Sequence, residues 1–388
     1  MAQSVRSQKK KIKNERLINM KFRCGRDDLL DAITKAEKAV AAKSVIQVME
    51  GILIETGHAE VKLTGNDLSL AIEATFPAEI EAAGRIVLNT RMFSEIIRKT
   101  GDSMVEFEAD ENQKVKITSG FSIFEIAGLL PDEFPAVNTF DVDKKITVPC
   151  DVLRSMIKQT IFATSKDEKN LILTGILFKP EGENLSLVAV DKFRFAIRRE
   201  KSTYCDVTEQ FVVPYKTLSE LLKILGDEGE VEIYPANNFI LFVLDDCKIY
   251  SRAIEGDYIK YEHILDTKNT IRCKAKTGKL LDTFERVSPL INMETIKSPV
   301  KIKIEGDNII IDCQTLSGKV HDELTVEKIS GEDLEIGFNN RYLLDAFSAV
   351  DTDEIYIEFS TPQSPIKIMP ADGSEKFVYL ILPVLLKR

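Results

Sequence analysis

The 388-residue chain contains no tryptophan, only three histidines, and six cysteines that are widely scattered. The histidines are isolated from one another, which excludes the paired-histidine spacing of helical zinc sites. Because no two cysteines have the spacing of a metal site or a redox motif, we expect unreactive thiols that pack as small apolar side chains. Apolar runs are also short, well below the roughly 18–20 residues of a membrane-spanning helix. These absences indicate a protein of the cytoplasm.

Phosphate-binding and catalytic motifs are missing as well. The Gly-Lys dipeptides at residues 278–279 and 318–319 lack the upstream glycine that a P-loop requires. No dinucleotide-binding, nucleophile-elbow or EF-hand pattern occurs. Catalytic groups can converge from distant positions, so an enzyme is not excluded by these absences alone. They nevertheless favour a scaffold without catalytic residues, metal or cofactor.

Negative charge dominates the sequence, whose formal net charge is −10. Residues 1–19 run against this trend, because six lysines and arginines face only Glu15, a balance of +5 that leaves −15 on the remainder. An acidic body argues against nucleic-acid binding through net charge, so any DNA contact must depend on local clusters of Lys and Arg. We expect residues 1–19 to form a disordered basic leader: a nucleic-acid-binding arm, an added segment, or a stretch upstream of a true start at Met20.

An internal repeat organises the remainder of the chain. Similar stretches align Phe93, Leu218 and Leu343, which lie 125 residues apart in both intervals. Alternating strands follow each copy at residues 105–108, 231–234 and 355–358, with spacings of 126 and 124. Three homologous domains of one period are therefore predicted.

Each repeat alternates between helical and strand periodicity. The apolar stripe of Met92, Phe93, Ile96 and Ile97 predicts a short helix, and alternating apolar residues after it predict strands. An earlier helix followed by strands opens each repeat, so every domain holds two helix-plus-antiparallel-strand units and the fold class is α+β. Charged stretches place the boundaries, giving a leader at 1–19 and domains at 20–145, 146–270 and 271–388.

Three motifs stand out within this repeat. They are Leu-Thr-Gly-Asn-Asp-Leu at residues 63–68, Leu-Pro-Asp-Glu-Phe-Pro at 130–135, and Gly-Phe-Asn-Asn-Arg-Tyr-Leu-Leu-Asp-Ala at 337–346. In this order they resemble the bacterial DNA polymerase III beta sliding clamp family. The resemblance covers residues 20–388. It implies three DNA-clamp domains per chain and a head-to-tail dimer ring with helices lining the hole. The implied role is a non-catalytic processivity subunit that encircles duplex DNA without sequence preference.

The resemblance also implies a set of partners and a DNA-facing surface. Partners would be duplex DNA, the DNA polymerase III alpha subunit, the clamp loader, other proteins with a clamp-binding motif, and a second copy of the chain, with no membrane. A charged helix face is ordinarily only solvated, but basic residues recur on the polar helix faces of all three repeats. The DNA-facing candidates are Lys43, Arg91, Arg98, Lys99, Arg154, Lys158, Lys216, Lys223, Lys279 and Arg286.

A peptide-binding pocket between the second and third domains is the family's other implied site. The matching positions are Leu173, Gly175, Val190, Phe193, Arg194, Phe195, Ile259, His263, Ile264, Pro365, Leu380, Ile381, Leu382, Pro383 and Val384. Residues 380–384 also fit a plain buried last strand. Many members carry Thr-Asp-Gly-His-Arg-Leu where this chain has Val-Asp-Lys-Phe-Arg-Phe at 190–195, and Phe-Pro-Asp-Tyr where it has Tyr-Ile-Lys-Tyr at 258–261. Two extra aromatic rings are expected to narrow or reshape the groove.

For the ring interface, the family pairs an edge strand of the first domain with the third domain of a second copy. Phe124 and Ile126 match one side, and Leu290 and Ile291 match the other. Two further readings stay open: an enzyme with a site around Asp191 and Arg194, and a repeat scaffold that binds only proteins.

Overall fold

The computed structural model describes residues 19–137, 142–236, 238–266, 268–293 and 298–386. They form two compact units. The first contains the described residues up to Asp143 together with Val231–Arg252, and the second contains Lys144–Glu230 and the residues from Ala253 onward. The expectation for the basic leader falls almost wholly on residues 1–18, which lie outside the described residues.

The threefold repeat is visible in the order of the elements. The first repeat contains β1 (Met20–Gly25), α1 (Arg26–Ala36), β2 (Gly51–Thr56), β3 (Glu60–Asn66), β4 (Leu70–Pro77), β5 (Glu79–Ala82), β6 (Arg85–Asn89), α2 (Thr90–Lys99), β7 (Met104–Ala109), β8 (Lys114–Ser119) and β9 (Ser122–Ala127). The second contains β10 (Ile146–Pro149), α3 (Cys150–Ile161), β11 (Gly175–Glu181), β12 (Asn184–Val190), β13 (Arg194–Lys201), β14 (Tyr204–Cys205), β15 (Phe211–Pro214), α4 (Tyr215–Leu221), β16 (Glu230–Ala236), β17 (Phe239–Val243) and β18 (Cys247–Arg252). After a short helix α5 (Glu262–Leu265), the third contains β19 (Ile271–Lys276), α6 (Thr277–Asn292), β20 (Val300–Glu305), β21 (Asn308–Gln314), β22 (Lys319–Thr325), β23 (Glu327–Ser330), β24 (Leu334–Phe338), α7 (Asn340–Ala349), β25 (Glu354–Phe359), β26 (Ile366–Pro370) and β27 (Phe377–Ile381). The α+β class and the two helix-plus-strand units of each repeat are confirmed.

Antiparallel sheets join consecutive repeats inside each unit. The first unit contains one sheet ordered β5-β1-β7-β8-β9 and a second that runs β16-β17-β18-β4-β3-β2-β6. The second unit contains a sheet ordered β15-β11-β12-β13-β27-β26-β25-β19-β23 and a smaller one ordered β22-β21-β20-β24. The pairs β4–β18 and β13–β27 connect two repeats each, so the repeats share continuous sheets rather than standing apart.

Alternating apolar residues and helix stripes build the cores, as the period-two and helical patterns predict. In the first unit Phe22 and Phe107 stack with ring centroids 4.8 Å apart, and Phe93 from α2 meets Phe107 edge to face at 6.3 Å. All three rings are buried. Aromatic pairs of this geometry contribute about 1 kcal/mol each beyond the burial of their area.

The predicted helices form, although some end earlier than their apolar stripes. The Asn89 side chain caps α2 by accepting a hydrogen bond from the N–H of Met92 at 3.1 Å, and Asn339 caps α7 through the N–H of Arg341 at 3.0 Å. Such caps contribute about 1 kcal/mol each. Helix α4 ends at Leu221, and the residues that follow form tight turns. One of these turns is closed by a hydrogen bond from the Leu225 N–H to the Leu221 carbonyl.

The cysteines are free, and five of the six are buried. Burial raises the pKa of the Cys24 and Cys247 thiols to about 12, so both stay protonated at neutral pH. None of the described helices combines the length and apolar character needed to cross a membrane.

Candidate binding surfaces

The β12–β13 turn and the C-terminal strand bring together several residues that the sequence assigns to the pocket. Asp191 shapes the turn, since its Oδ1 accepts hydrogen bonds from the N–H groups of Phe193 at 2.7 Å and Arg194 at 2.9 Å. Strand β27 pairs with β13, and the Leu382 N–H donates to the Phe193 carbonyl at 2.7 Å. The fold therefore presents Phe193 and Leu382 as neighbours, 49% and 42% exposed.

Six of the fifteen pocket candidates lie below the surface. Val190, Phe195 and Leu380 belong to a core cluster with Tyr258 and Tyr261. The Phe195 and Tyr261 ring centroids are 5.4 Å apart. Phe195, the second of the two extra aromatic residues, therefore packs inside the unit. The six buried candidates are Gly175, Val190, Arg194, Phe195, Leu380 and Ile381.

The other nine candidates are accessible or partly accessible, and six of them are aliphatic or aromatic side chains that can contact a ligand. We call these six the pocket surface. It comprises Leu173, Phe193, Ile259, Ile264, Leu382 and Val384. The remaining accessible candidates are His263, Pro365 and Pro383.

Buried tyrosines support this surface from below. Tyr258 donates a hydrogen bond from its hydroxyl to the Val188 carbonyl at 3.2 Å. Burial raises the pKa of Tyr258 well above its usual range, so the hydroxyl remains a donor at any physiological pH. Lys179 lies 5.6 Å from the Tyr261 ring centroid and pairs with Glu181 and Glu262. The support is therefore fixed by packing and by charge together.

Beside Phe193 a polar cavity of about 640 Å³ opens around Arg194. Arg194 Nε pairs with Asp191 Oδ2 at 3.0 Å, and Nη1 pairs with Asp345 Oδ2 at 2.5 Å. Its guanidinium also lies 4.6 Å from the Tyr342 ring centroid, and the Phe193 and Tyr342 rings stack with their centroids 5.9 Å apart. Arg194 is only 9% exposed, and its two ion pairs join the turn to helix α7.

Sequence reasoning assigned no binding role to the α7 residues of this cavity. Asn339, Arg341, Tyr342 and Asp345 line it. The signal was present, because residues 337–346 form the longest of the three family motifs. The motif indicates the family, but it does not by itself show that its polar side chains line a cavity.

The cluster around Asp191 and Arg194 does not have the features of an active site. Both carboxylates are engaged by one guanidinium, which leaves no general base next to a nucleophile. Within the residues that the structure describes, no group of three His, Cys, Asp or Glu side chains could hold a metal ion. The neighbours Phe193 and Val190 are apolar.

The DNA-facing candidates divide into neutralised and unpaired cations. Arg98 pairs with Glu95 at 3.0 Å, Lys223 with Glu220 at 2.8 Å, Arg286 with Asp322 at 2.7 Å, and Arg154 with Asp227. Lys216 lies exposed on α4. Among the described residues, no ion pair involves Lys43, Arg91, Lys99, Lys158 or Lys279.

The interface candidates lie on or beside two strands at sheet edges. Phe124 and Ile126 lie on β9, an edge of the first unit's five-stranded sheet, and both are half-buried against that unit's core. Leu290 lies on α6 over the edge strand β22, since a Cβ at Gly318 would stand 3.4 Å from its Cδ1. Ile291 is only 5% exposed and belongs to the core.

Three homologous α+β repeats that share continuous antiparallel sheets define a class of repeat proteins built from similar domains, and comparisons with known proteins identify the family. Family models for the DNA polymerase III beta subunit match its N-terminal domain at residues 20–138, its central domain at 147–260 and its C-terminal domain at 262–385. The beta sliding clamp of Halalkalibacterium halodurans is 31% identical over 379 residues, covering 94% of this chain and 99% of that protein.

Solved structures agree with the sequence relatives. The DNA polymerase sliding clamp from Bacillus subtilis superposes with a TM-score of 0.90 at 31% identity, covering 95% of this chain and all of that chain. The beta subunit from the DNA polymerase of Streptococcus pyogenes gives 0.89 at 28% identity, covering 94% and 100%. The chain belongs to the DNA polymerase III beta subunit family, the beta sliding clamps. It is a non-catalytic processivity factor of DNA replication, and at this level its partners are DNA and DNA polymerase III.

Proposed function

We propose that two copies of this chain close head to tail into a ring around duplex DNA, in the cytoplasm, and tether the polymerase through the pocket surface. The partners are the DNA polymerase III alpha subunit, the clamp loader, and other proteins with a clamp-binding motif. The observation that carries the proposal is that strands β9 and β22 are sheet edges, whereas the equivalent strands of the other repeats are paired.

Equivalent strands are paired at two junctions and unpaired at the third. The fourth and ninth strands of successive repeats join as β4–β18 and β13–β27. The remaining members of these two series are β22 and β9, and both are sheet edges in the described part of the chain. An exposed edge strand presents unpaired N–H and C=O groups that can pair with a strand of another chain. A second copy supplies the missing one, since its β9 can add to β22 and the first copy's β9 can add to its β22.

The paired junctions also fix the register that we propose for this contact. The tight turns that precede these strands can be superposed. The Asp67 N–H donates to the Leu70 carbonyl as the Thr315 N–H donates to the Gly318 carbonyl, which aligns Leu70 with Gly318. The turns before β18 and β9 align Cys247 with Ser122 in the same way. Transferring the pair Ile72–Ile249 then sets Val320 opposite the partner's Phe124, and Lys319 opposite the partner's Glu125. A cross-strand pair of opposite charges contributes about 0.2–1 kcal/mol.

Burial supports this transfer. Ile72 and Ile249 are fully buried at the first junction, and Ala196 and Tyr379 are fully buried at the second. Val320 and Phe124 occupy the equivalent positions but are only half-buried. The missing cover is what an added strand of a second copy provides.

The proposed ring explains how an acidic chain works on DNA. A closed ring is retained because it is linked with the DNA, and tight phosphate contacts would oppose sliding. A few unpaired cations give weak, salt-sensitive attraction without base readout. The proposed DNA-facing residues are therefore led by Lys43, Arg91, Lys99, Lys158 and Lys279.

Removing an unpaired cation should weaken DNA binding more than removing a paired one. Lys99→Gln is expected to lower the slope of log affinity against log salt by roughly one per subunit, because one phosphate contact is lost. Fluorescence anisotropy with a labelled 20-base-pair duplex at low salt measures that slope. Arg286→Gln is the matched control, since Asp322 already neutralises its charge. Equal effects of the two substitutions would argue against the division into paired and unpaired cations.

The pocket surface supports peptide capture. Apolar anchors entering an apolar surface supply most of the energy of such contacts, while a few polar groups fix register. Phe193 occupies a position where many members have histidine, and its ring stacks on Tyr342, which lines the cavity around Arg194. We propose that the Phe193 ring changes the preferred peptide.

Domain boundaries at 20–145, 146–270 and 271–388 remain part of the proposal. They are supported by strand β19, which begins at Ile271.

Retention on DNA of different topology tests the proposed ring. After loading by the cognate clamp loader, the labelled chain is expected to remain on nicked circular DNA for at least tenfold longer than on the same DNA after linearisation. Gel filtration of the complexes over time measures both. Blocking the ends of the linear DNA with bound protein should restore retention. Equal loss from circular and linear DNA would contradict the ring, and no retention on either would favour a scaffold that binds only proteins.

A further inference from the structure

The β3–β4 turn of the first unit repeats the construction of the turn that carries Phe193. Asp67 lies 124 residues before Asp191, and its Oδ1 accepts hydrogen bonds from the N–H groups of Ser69 and Leu70, both at 2.9 Å. Strand β4 then pairs with β18 as β13 pairs with β27. The chain therefore builds the framework of its pocket surface a second time, with different side chains.

A cavity of about 160 Å³ opens beside this second turn. Its lining includes Leu68, Ala71, Val137, Phe239, Tyr250 and Arg252. An engineered protein cavity of about 150 Å³ accepts benzene. The cavity therefore has room for one apolar side chain. A partner could enter it only with a short segment.

Arg252 places a cation without a carboxylate partner at this cavity. Its guanidinium lies 5.9 Å from the Phe239 ring centroid, and no ion pair involves it among the described residues. Both hydroxyls of the lining are already engaged, because Tyr250 donates to Glu73 at 3.0 Å and Ser69 donates to Asp67 at 2.7 Å. Arg252 is exposed to solvent, so the site offers an accessible cation beside apolar side chains, which complements an anion next to an apolar group.

Leu68 is held at this cavity in a costly conformation. Its φ is +73°, a region that side chains other than glycine rarely adopt, and the residue is 57% exposed. Asn66 enforces the geometry, because its Oδ1 accepts from the Leu68 N–H at 2.8 Å and its Nδ2 donates to the Pro135 carbonyl at 3.1 Å. Neither the conformation nor the exposure stabilises the fold, and strain of this kind persists where the side chain meets a ligand.

We propose that this cavity is a second docking site, which binds a short peptide segment carrying an apolar side chain next to a carboxylate. The apolar side chain enters between Leu68, Val137 and Phe239, and the carboxylate pairs with Arg252. A guanidinium offers a carboxylate two parallel N–H donors, which selects it over a neutral amide. The site is separate from the pocket surface in its residues and does not depend on ring closure.

Methyl NMR on the full-length chain tests the site directly. The probe is the dipeptide N-acetyl-Phe-Asp-amide, and the matched control is N-acetyl-Phe-Asn-amide, which has the same shape without the charge. With labelled Ala, Leu and Val methyl groups, the acidic dipeptide is expected to shift Leu68, Ala71 and Val137 saturably at millimolar concentration. The amide dipeptide should bind roughly tenfold more weakly.

Two substitutions keep the result interpretable. Arg252→Gln should reduce binding of the acidic dipeptide about tenfold while leaving the methyl spectrum otherwise unchanged. Phe193→Ala, at the pocket surface, should leave it unaltered. Leu68→Gly should raise the melting temperature by a few degrees, because the positive φ is no longer costly, and should weaken binding. Equal binding of both dipeptides, no saturable shift at these methyls, or insensitivity to Arg252→Gln would overturn the proposal.

Discussion

Replacing Phe124 by aspartate is expected to convert the dimer to a monomer, so that light scattering reports 43.7 kDa instead of twice that mass. At the contact proposed above, Phe124 faces the partner's Val320, in the position that Ile249 and Tyr379 fill at the two closed junctions. Both equivalents are fully buried. An aspartate there would be buried without a cation, which costs about 4 kcal/mol and raises the dissociation constant roughly a thousandfold at each interface.

The opposite side of the contact should be equally sensitive. Leu290→Lys, on α6 over β22, is expected to give the same monomer for the same reason. Val45→Asp serves as the control for Phe124→Asp, since Val45 is a fully exposed apolar residue of the first unit and the substitution introduces the same negative charge. Its dimer should be unaffected. A dimer of unchanged mass for both Phe124→Asp and Leu290→Lys at micromolar concentration would refute this assignment of the interface.

Replacing Leu382 by aspartate is expected to abolish capture of the polymerase while leaving the ring intact. Leu382 is 42% exposed beside Phe193, and its N–H is fixed by the Phe193 carbonyl, so the backbone position persists after substitution. A carboxylate at the pocket surface would have to be desolvated by any apolar peptide side chain. Central anchors of this type contribute 2 kcal/mol or more, so at least a thirtyfold loss of affinity is expected.

Surface plasmon resonance with the purified alpha subunit of the cognate polymerase measures this loss. Ile329→Asp is the matched variant, because Ile329 is also an exposed aliphatic residue, 47% exposed on β23. Its affinity for the alpha subunit should stay within a factor of two. Retention of full affinity by Leu382→Asp, with light scattering confirming the dimer, would move the peptide site away from the pocket surface.

Much of the fold could be predicted because three copies of one pattern reinforce each other. A single stripe such as Met92–Ile97 is compatible with several folds, but its recurrence at 125-residue spacing identifies a domain unit. Boundaries were harder, since a helix end depends on the turn that follows it. Val40, for example, fits the stripe of α1, yet that helix ends at Ala36 and a 3-10 turn carries the chain onward.

The sites could be predicted less well, because a sequence shows which residues are apolar but not which of them remain accessible. Val190, Phe195 and Leu380 matched the pocket by position, and in the structure their side chains are buried in a core cluster. Arg194 also matched the pocket by position, and in the structure its guanidinium pairs with the carboxylates of Asp191 and Asp345. Asp345 lies 151 residues from Arg194, and no local pattern reports a pairing across that separation.

The composition of the first unit has a consequence for how the chain folds during synthesis. That unit takes Val231–Arg252 from the second repeat, and β18 covers β4 through the pair Ile72–Ile249. While the ribosome has made only the first repeat, β4 has no neighbour on that side and Ile72 is uncovered. Completion of the unit must wait until about residue 252 has left the exit tunnel. The nascent chain is thus open to chaperones and to mispairing between neighbouring polysomal chains for the time needed to translate more than a hundred further residues.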